Sequence, residues 1–279
     1  MLKSLFEDKQ ATPPLKWAGG KRWLVSELNS IWQSHLYHHT KTAKITARLV
    51  EPFCGGLAIA LGLNPKKAVL NDVNPHLINF YRCLQDKTLI KTKPPVLENK
   101  SAVYYQNRVL FNQLIADGKQ NTPEAAWLFY YLNRTGYNGL CRFNQRGFYN
   151  VPFGQYKTIH YKTGDDWEHF VHWFQNWQFT SGDFSDLQLN VTDLIYADPP
   201  YDVNFVTYAK EGFTWADQIR LAQWLSKQPC SVVASNQATP RILELYQDLG
   251  FHVILLDAPR RIACNGDRQP AKEIIAKKI

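Results

Sequence analysis

Membrane-length apolar runs, paired cysteines and sequence repeats are all missing from this chain. No stretch approaches the ~18 apolar residues of a membrane span, and the first ten residues mix acids and bases without a signal-peptide apolar run. The five cysteines form no C-x-x-C pair, and their odd number does not suit a disulfide framework. These absences argue against membrane-spanning and disulfide-rich secreted proteins, and they predict a cytoplasmic protein with reduced thiols.

Metal-ligand patterns and the usual dinucleotide fingerprint are also missing. The stretch HLYHHT contains His35, His38 and His39, but no Cys or carboxylate stands beside them at ligand spacing. We therefore predict no metal. No G-x-G-x-x-G follows a predicted strand, which disfavours an NAD-dependent oxidoreductase.

Basic and aromatic residues are plentiful. The formal charge is +8, the sequence pI is about 9.1, and aromatic residues make up 14%, including nine Trp. A basic surface favours an anionic partner, most often nucleic acid, although charge alone leaves open a protein that binds no polyanion. Most of the aromatic side chains are expected in cores, and stacking on flat ligands such as bases is the alternative for a minority.

The order of motifs predicts an α/β fold with an inserted helical domain. Residues 47–63 indicate a strand, a glycine turn and a helix, and residues 67–74 a second strand, which together predict a βαβ unit. Helical apolar spacing then dominates up to about residue 161, after which strand patterns resume. We predict a catalytic domain in two parts, 1–73 and 163–279, and a target-recognition domain at 74–162 with a hairpin near 133–157.

Three predicted strand ends carry residues suited to a nucleoside ligand. Gly55 and Gly56 permit close backbone approach, and Asp72 stands where an acid can accept from a ribose diol. In SGDF, Asp183 offers an acceptor for an exocyclic amine, and a backbone N–H near Phe184 a donor for a ring nitrogen. Ordinary turns with solvated acids remain the alternative for both stretches.

A second glycine pair lies in the stretch KWAGGK. Lys16 and Lys21 can neutralise a carboxylate or phosphate, and Trp17 can cover an apolar or cationic group such as a sulfonium. A helix N-terminus with surface lysines is the alternative.

The stretch ADPPY joins an acid, two prolines and an aromatic ring. The prolines fix two φ angles and remove two N–H donors, which holds the Asp198 carboxylate and the Pro199 carbonyl as rigid acceptors. Tyr201 adds a flat surface after Pro200. The complement is a planar base that carries an amino group, which positioning and electrostatics would aim at an electrophilic methyl.

KWAGGK, EPFCGG, NDVN, SGDF and DPPY, in this order, resemble the Dam-type DNA adenine-N6 methyltransferases (D12 class, alpha group). The resemblance implies a Rossmann-like methyltransferase sheet, S-adenosylmethionine as cofactor, double-stranded DNA as partner, no membrane, and a monomer. It further implies a set of cofactor-binding residues: Trp17, Lys21, Gly55, Gly56, Asp72, Asp183, Phe184 and Asp198. The target adenine, flipped from the duplex, would be held by Asp198, Pro199, Pro200 and Tyr201.

The stretch NRTGYNGLCRFNQRGFYNVPFGQYK is similar to the family's GATC-reading hairpin. By this resemblance Arg142 contacts a guanine edge, Pro152 touches a thymine methyl, and Tyr156 with Lys16 reads the outer G·C pair. Tyr137 and Asn138 would intercalate or contact bases beside the flipped adenine, and Asn133 and Arg134 would anchor phosphates or the hairpin. For individual residues a phosphate contact or a core position stays open.

Two further functions remain open from the sequence. A cytosine-N4 methyltransferase of the same class also needs only an exocyclic amine, although Asp before PPY favours adenine by family resemblance. A catalytically silent DNA-binding relative is the other alternative.

Overall fold

The computed structural model describes residues 12–42, 46–201, 212–258 and 271–279. As far as they are described, the residues fall into two compact units. The first comprises Met1–Lys21, Gly55–Asn64 and Asp72–Gly182, and the second Arg22–Cys54, Pro65–Asn71 and Asp183–Ile279. The predicted boundaries at 73/74 and 162/163 separate a catalytic domain from a target-recognition domain. Because these domains are defined by function, the two compact units do not test the boundaries, which stay a prediction.

A seven-stranded sheet of order β3-β2-β1-β4-β5-β7-β6 confirms the predicted α/β class. Its strands are β1 (Leu49–Glu51), β2 (Ala68–Asp72), β3 (Trp177–Ser181), β4 (Leu194–Ala197), β5 (Ser231–Gln237), β6 (His252–Ala258) and β7 (Ala271–Lys278). β1 runs parallel to β2 and β4, β4 runs parallel to β5, and β7 is antiparallel to both β5 and β6. The predicted βαβ unit is confirmed. The last twenty residues of the sequence predict a closing β-hairpin that turns at Asn265-Gly266, and this turn lies outside the described residues.

The strand order reverses beside β1, as in Rossmann-type sheets. The chain moves outward from β1 through β2 to β3, and then returns to the other side of β1 with β4. Leu49 pairs with Leu194 and Val50 with Ile195, so the carboxyl ends of β1 and β4 are neighbours. In open α/β sheets this reversal is where ligands bind.

Nine helices lie in the described residues: α1 (Val25–Thr42), α2 (Ala58–Leu63), α3 (Pro75–Gln85), α4 (Thr88–Lys91), α5 (Ser101–Ala116), α6 (Pro123–Thr135), α7 (Glu168–Phe174), α8 (Trp215–Ser226) and α9 (Pro240–Asp248). Thr122-Pro123-Glu124 in the sequence predicts a helix start, which is confirmed, since the Thr122 hydroxyl accepts from the Ala125 N–H. The spacing of Thr214 and Asp217 predicts a capping box, which is confirmed at the start of α8. None of these helices combines the length and apolarity that a membrane span needs.

The cores of the two units differ in side-chain type. The second unit buries mainly aliphatic side chains from its strands and from α8 and α9, such as Val50, Ile195, Val232 and Leu221. In the first unit, α6 is buried on all sides between Ala125 and Leu132, and the Tyr130 ring lies 5.0 Å from that of Trp167. A helix that is apolar all round belongs in an interior, and its aromatic side chains supply much of the buried area.

Candidate active site

Asp72 closes the glycine turn at the end of β1. Its Oδ2 accepts from the Gly55 N–H at 3.1 Å, and its Oδ1 accepts from the Asn74 N–H at 2.9 Å. The Tyr81 hydroxyl donates to the Gly55 carbonyl at 2.7 Å. Gly55 has φ +44°, a left-handed conformation that favours glycine. The turn is therefore held from three sides, and each Asp72 oxygen retains capacity for one more hydrogen bond.

Trp17 lies directly on this turn. A Cβ added at Gly55 would lie 2.6 Å from Trp17 Nε1, and one at Gly56 would lie 2.8 Å from Trp17 Cβ. Both glycines are therefore required by the close approach of Trp17. Lys21, expected by one alternative to be a surface lysine, is buried, with its Nζ donating to the Gly19 carbonyl at 3.3 Å. The structure thus brings Trp17, Gly55, Gly56 and Asp72 together.

Asp72 and Asp183 have pKa values shifted in opposite directions. Burial raises the pKa of the Asp72 carboxyl above its usual range, against the two backbone N–H donors that lower it. The Arg220 guanidinium lowers the pKa of the Asp183 carboxyl well below its usual range, with help from Ser185. Asp183 is therefore firmly ionised at neutral pH, and Asp72 gains a proton at a higher pH than an ordinary Asp.

Arg220 forms a bidentate pair with Asp183 and was not predicted. Its Nη1 and Nη2 donate to Asp183 Oδ1 and Oδ2 at 2.7 and 2.8 Å, and Ser185 donates twice to Oδ1. Asp183 Oδ2 is thus the oxygen with room for a further donor. The guanidinium also lies 4.2 Å over the buried ring of Phe184, which packs against Phe53.

Asp198 is held by a buried hydroxyl on the adjacent strand. Ser235 Oγ donates to Asp198 Oδ1 at 2.8 Å, and Ser235 lies 2.9 Å from the hydroxyl of Tyr196. Burial raises the pKa of Tyr196 far above its usual value, with the nearby Asp198 carboxylate as a second cause, so this hydroxyl stays protonated. Asp198 therefore projects from the end of β4 in a fixed direction.

The diproline stretch has a second anchor at Pro200. The Gln218 side chain donates to the Pro200 carbonyl at 2.8 Å and accepts from Asn236 at 2.9 Å, and both amides are fully buried. Gln218 thus engages the carbonyl next to that of Pro199, the predicted acceptor. Burial raises the pKa of Tyr201, and nearby Asp198 and Glu273 raise it further, so its ring stays neutral.

Lys16 and Tyr156 lie against each other, while their predicted role in reading an outer G·C pair stays a prediction. Lys16 Nζ lies 3.5 Å from the Tyr156 ring centroid and donates to the Arg134 carbonyl at 3.0 Å. Burial, and then the Arg134 charge, lower the pKa of Lys16 to about 8. The Asn133 amide is buried and binds the Lys16 backbone through both groups, accepting from its N–H at 2.9 Å and donating to its carbonyl at 2.7 Å. In this structure Asn133 joins α6 to the backbone of Lys16, and a phosphate contact by Asn133 stays a prediction.

The remaining predicted DNA readers lie on the surface of a hairpin over residues 136–154. Phe143 pairs with Tyr149, and Gly136 with Phe153, in antiparallel bridges. Tyr137, Asn138, Arg142 and Pro152 are exposed along this segment. Asn138 adopts a left-handed φ of +52°, which asparagine tolerates better than most residues. The hairpin exposes these four side chains to solvent.

His35 and Cys141 each have a structural partner. His35 is buried and lies 3.0 Å from the Thr192 carbonyl, and Cys141 Sγ accepts from the Asn74 amide at 3.2 Å. Burial raises the pKa of the Cys141 thiol to about 12. In the parts of the chain that the structure describes, no group of three His, Cys, Asp or Glu residues is arranged to hold a metal ion.

Four side chains of the site escaped the sequence-based reasoning: Arg220, Ser235, Gln218 and Asn236. A polar Ser-Asn-Gln run at the end of the apolar strand β5 is a usable signal for two of them, because ligand sites collect at such ends. Arg220 and Gln218 carry no such signal, since α8 reads as an ordinary amphipathic helix.

The glycine turn closed by a strand-end acid and the anchored Asp-Pro-Pro-Tyr stretch are the features expected of an amino-group methyltransferase. Residues 17–262 match the family described as D12 class N6 adenine-specific DNA methyltransferase. The chain belongs to this family and is an adenine-specific DNA methyltransferase, which favours adenine over the cytosine-N4 alternative.

Individual relatives agree with this family. The Retron Ec67 DNA adenine methylase of Escherichia coli is 35% identical over 274 residues, covering 94% of this chain and 90% of that protein. The DNA N-6-adenine-methyltransferase of Escherichia phage P1 is 34% identical over 266 residues, covering 90% of this chain and 33% of that protein. A solved precorrin-6y C5,15-methyltransferase of Geobacter metallireducens gives a TM-score of 0.35 at 10% identity, covering 98% of this chain and 96% of that one.

Proposed function

We propose that the protein transfers a methyl group from S-adenosylmethionine to N6 of an adenine flipped out of double-stranded GATC sites. One observation carries the proposal: Asp198 is held by Ser235 at the end of β4, next to the end of β1, where the strand order reverses. The expected location is the bacterial cytoplasm, or that of a phage-infected cell, where such DNA is found.

The residues around the glycine turn suit this cofactor. Each Asp72 oxygen has one remaining acceptor site, which matches the two hydroxyls of a ribose diol. Asp183 Oδ2 has room for one N–H of an adenine amino group, beside the Phe184 backbone. Trp17 and Lys21 suit the methionine end by ring and charge. The cofactor itself would supply an electrophilic methyl on a sulfonium, which needs no covalent step on the protein.

Asp198 and its anchors would orient the target nitrogen. The N6 lone pair of adenine is delocalised into the ring, so two fixed acceptors, Asp198 and the Pro199 carbonyl, would hold its hydrogens and aim the nitrogen. The N6 lone pair would form the new N–C bond, the C–S bond electrons would leave with sulfur, and one N6 proton would pass to solvent. Tyr201, protonated throughout, would replace part of the stacking that the flipped base loses.

The hairpin would supply sequence recognition. Arg142 suits the O6 and N7 acceptors of a guanine, Pro152 a thymine methyl, and the Lys16–Tyr156 pair the outer G·C base pair. Tyr137 and Asn138 would fill the space beside the flipped adenine, and Arg134 would bind phosphate.

Sequencing of DNA from a host that lacks adenine methylation, after expression of the protein, tests the base, the position and the site together. We expect N6-methyladenine in GATC. The Asp198→Ala variant should lose methyl transfer by at least about 100-fold, because oriented acceptors are worth several kcal/mol in such steps, while retaining most cofactor binding.

Asp248→Ala is the matched control, since it removes an exposed carboxylate at the end of α9. Methylation at a site other than GATC would overturn the recognition sequence alone. Absence of methylation by a folded protein that binds DNA tightly would instead support the catalytically silent relative.

A further inference from the structure

We propose that Asn150 is a specificity-determining positioning residue, which holds Arg142 so that one particular edge of its guanidinium reads guanine. The inference rests on the proposed function for Arg142. It adds a residue that reaches the base only through another side chain.

Asn150 and Arg142 are joined by three hydrogen bonds across the hairpin. The Asn150 N–H donates to the Arg142 carbonyl at 3.1 Å, which places the two residues opposite each other. Arg142 Nε donates to Asn150 Oδ1 at 2.7 Å, and Arg142 Nη2 donates to the Asn150 carbonyl at 3.2 Å. The side edge of the guanidinium, formed by Nε and Nη2, is therefore bound within the protein.

The donors of Arg142 can be counted. A guanidinium has five N–H groups, and Asn150 takes the single one of Nε and one of the two on Nη2. The second N–H of Nη2 and one N–H of Nη1 point together from the far end. This end-on pair is a bidentate donor for guanine O6 and N7, the contact that arginine favours in the major groove.

Asn150 is itself fixed by the neighbouring backbone. The Asn112 amide binds both sides of Tyr149, accepting from its N–H at 2.8 Å and donating to its carbonyl at 3.1 Å. At the turn, Asn144 Oδ1 accepts from the N–H groups of Arg146 and Phe148, both at 3.0 Å. Asn150, which orients Arg142, thus directly follows Tyr149, whose backbone is hydrogen-bonded to α5. Both residues lie on a hairpin whose turn is closed by Asn144.

Without Asn150, Arg142 would be a long, exposed side chain with many rotamers. It would still attract phosphates, but its two end-on donors would seldom point together at one base. Positioning should therefore affect discrimination between bases more than overall DNA affinity, because base contacts specify whereas phosphate contacts only position.

A duplex containing 7-deazaguanine provides the test, because this base lacks the N7 acceptor and keeps O6. Methylation kcat/KM is measured on GATC duplexes with guanine or 7-deazaguanine at each guanine in turn. At the guanine that Arg142 reads, wild-type protein should lose about tenfold, the scale of a lost bidentate contact. Asn150→Ala should lose less than about twofold on the same substitution, because its base reading is already weakened. Asn150→Asp keeps Oδ1 and should restore most of the wild-type ratio.

Gln145→Ala, an exposed turn residue, is the matched control and should keep the wild-type ratio. Asn150→Ala should change nothing further in an Arg142→Ala background. Asn150→Ala could instead lower kcat/KM equally on both duplexes, with a loss that adds to that of Arg142→Ala. That result would overturn the inference and indicate that Asn150 contacts a phosphate. Wild-type methylation insensitive to 7-deazaguanine at every position would also overturn it, whereas no methylation by any variant would overturn the proposed function itself.

Discussion

Asp72 ends β2 and Asp183 lies two residues past the end of β3, yet the protein surrounds these two acids with opposite kinds of partner. Asp72 is bound by two backbone N–H groups and lies deep enough for burial to raise its pKa. Asp183 is bound by the fork of Arg220 and by Ser185, and its pKa is lowered. The same residue type therefore serves as two different acceptors.

The contrast indicates two kinds of recognition. A carboxylate bound only by neutral backbone donors keeps a lone pair on each oxygen, and it is a strong acceptor because water does not compete. A carboxylate neutralised by arginine has less capacity left and a more exposed position, with Asp183 and Arg220 side chains 40% and 45% exposed. The cofactor should depend more on Asp72 than on Asp183.

Replacing Asp72 tests this order most strongly. Asp72→Ala removes both acceptors for a ribose diol and leaves the Gly55 N–H without its partner. We expect about a 100-fold loss of affinity for S-adenosylhomocysteine in calorimetry, since each hydrogen bond to a charged group contributes about 1.5–3 kcal/mol. The control variant Asp86→Ala removes an exposed acid at the end of α3, and it should bind S-adenosylhomocysteine with wild-type affinity. An affinity within threefold of wild type for Asp72→Ala would refute the assignment.

Much of this site was predictable because glycine and proline act locally. The strand, glycine turn and helix around Gly55 follow from backbone chemistry within a few residues, as does the break at Pro199 and Pro200. The strands that deliver Asp72 and Asp198 have apolar runs of the expected length. Helix α9 was predictable on the same grounds, because Thr239 and Pro240 start it with the same Thr-Pro cap as α6.

The supporting contacts were not predictable, because they join residues far apart in sequence. Asn133 binds Lys16 across 117 positions, and Ser235 reaches Asp198 across 37. Nothing in the neighbourhood of Asn133 distinguishes a buried amide that binds one peptide from an exposed amide that binds DNA. Arg220 was missed for the same reason, since its partner comes from another strand end.

A smaller effect is expected from separating Asp183 and Arg220. Arg220→Met retains an apolar chain over Phe184 and removes the fork, so Asp183 becomes free to turn. The pair is partly exposed, and such ion pairs contribute modestly, so we expect a three- to tenfold loss of S-adenosylhomocysteine affinity, about 1 kcal/mol. An analogue with inosine in place of adenosine lacks the amino group and should lose little. Lys227→Met, at an exposed position after α8, serves as control; equal losses for both ligands would assign Arg220 to packing alone.

The smallest effect should be a pH dependence that distinguishes the two acids. Only ionised Asp72 accepts both diol hydrogens, so lowering the pH toward its raised pKa should weaken S-adenosylhomocysteine binding several-fold, at a pH where Asp183 remains ionised. The stability of the folded protein depends on pH in the opposite sense. Because the folded-state pKa of Asp72 is raised, the contribution of this group to stability is present below the ordinary carboxyl pKa and is lost as pH rises through the folded value.

Calorimetric titrations that step down from pH 7.5, as far as the protein stays folded, check this prediction. The loss of S-adenosylhomocysteine affinity at low pH should disappear in Asp72→Asn, because its amide does not titrate. The same loss should persist in Asp183→Asn. If the loss of affinity at low pH disappeared in Asp183→Asn instead, the comparison would be reversed. The exposed, arginine-bound acid would then be the one whose charge the cofactor requires.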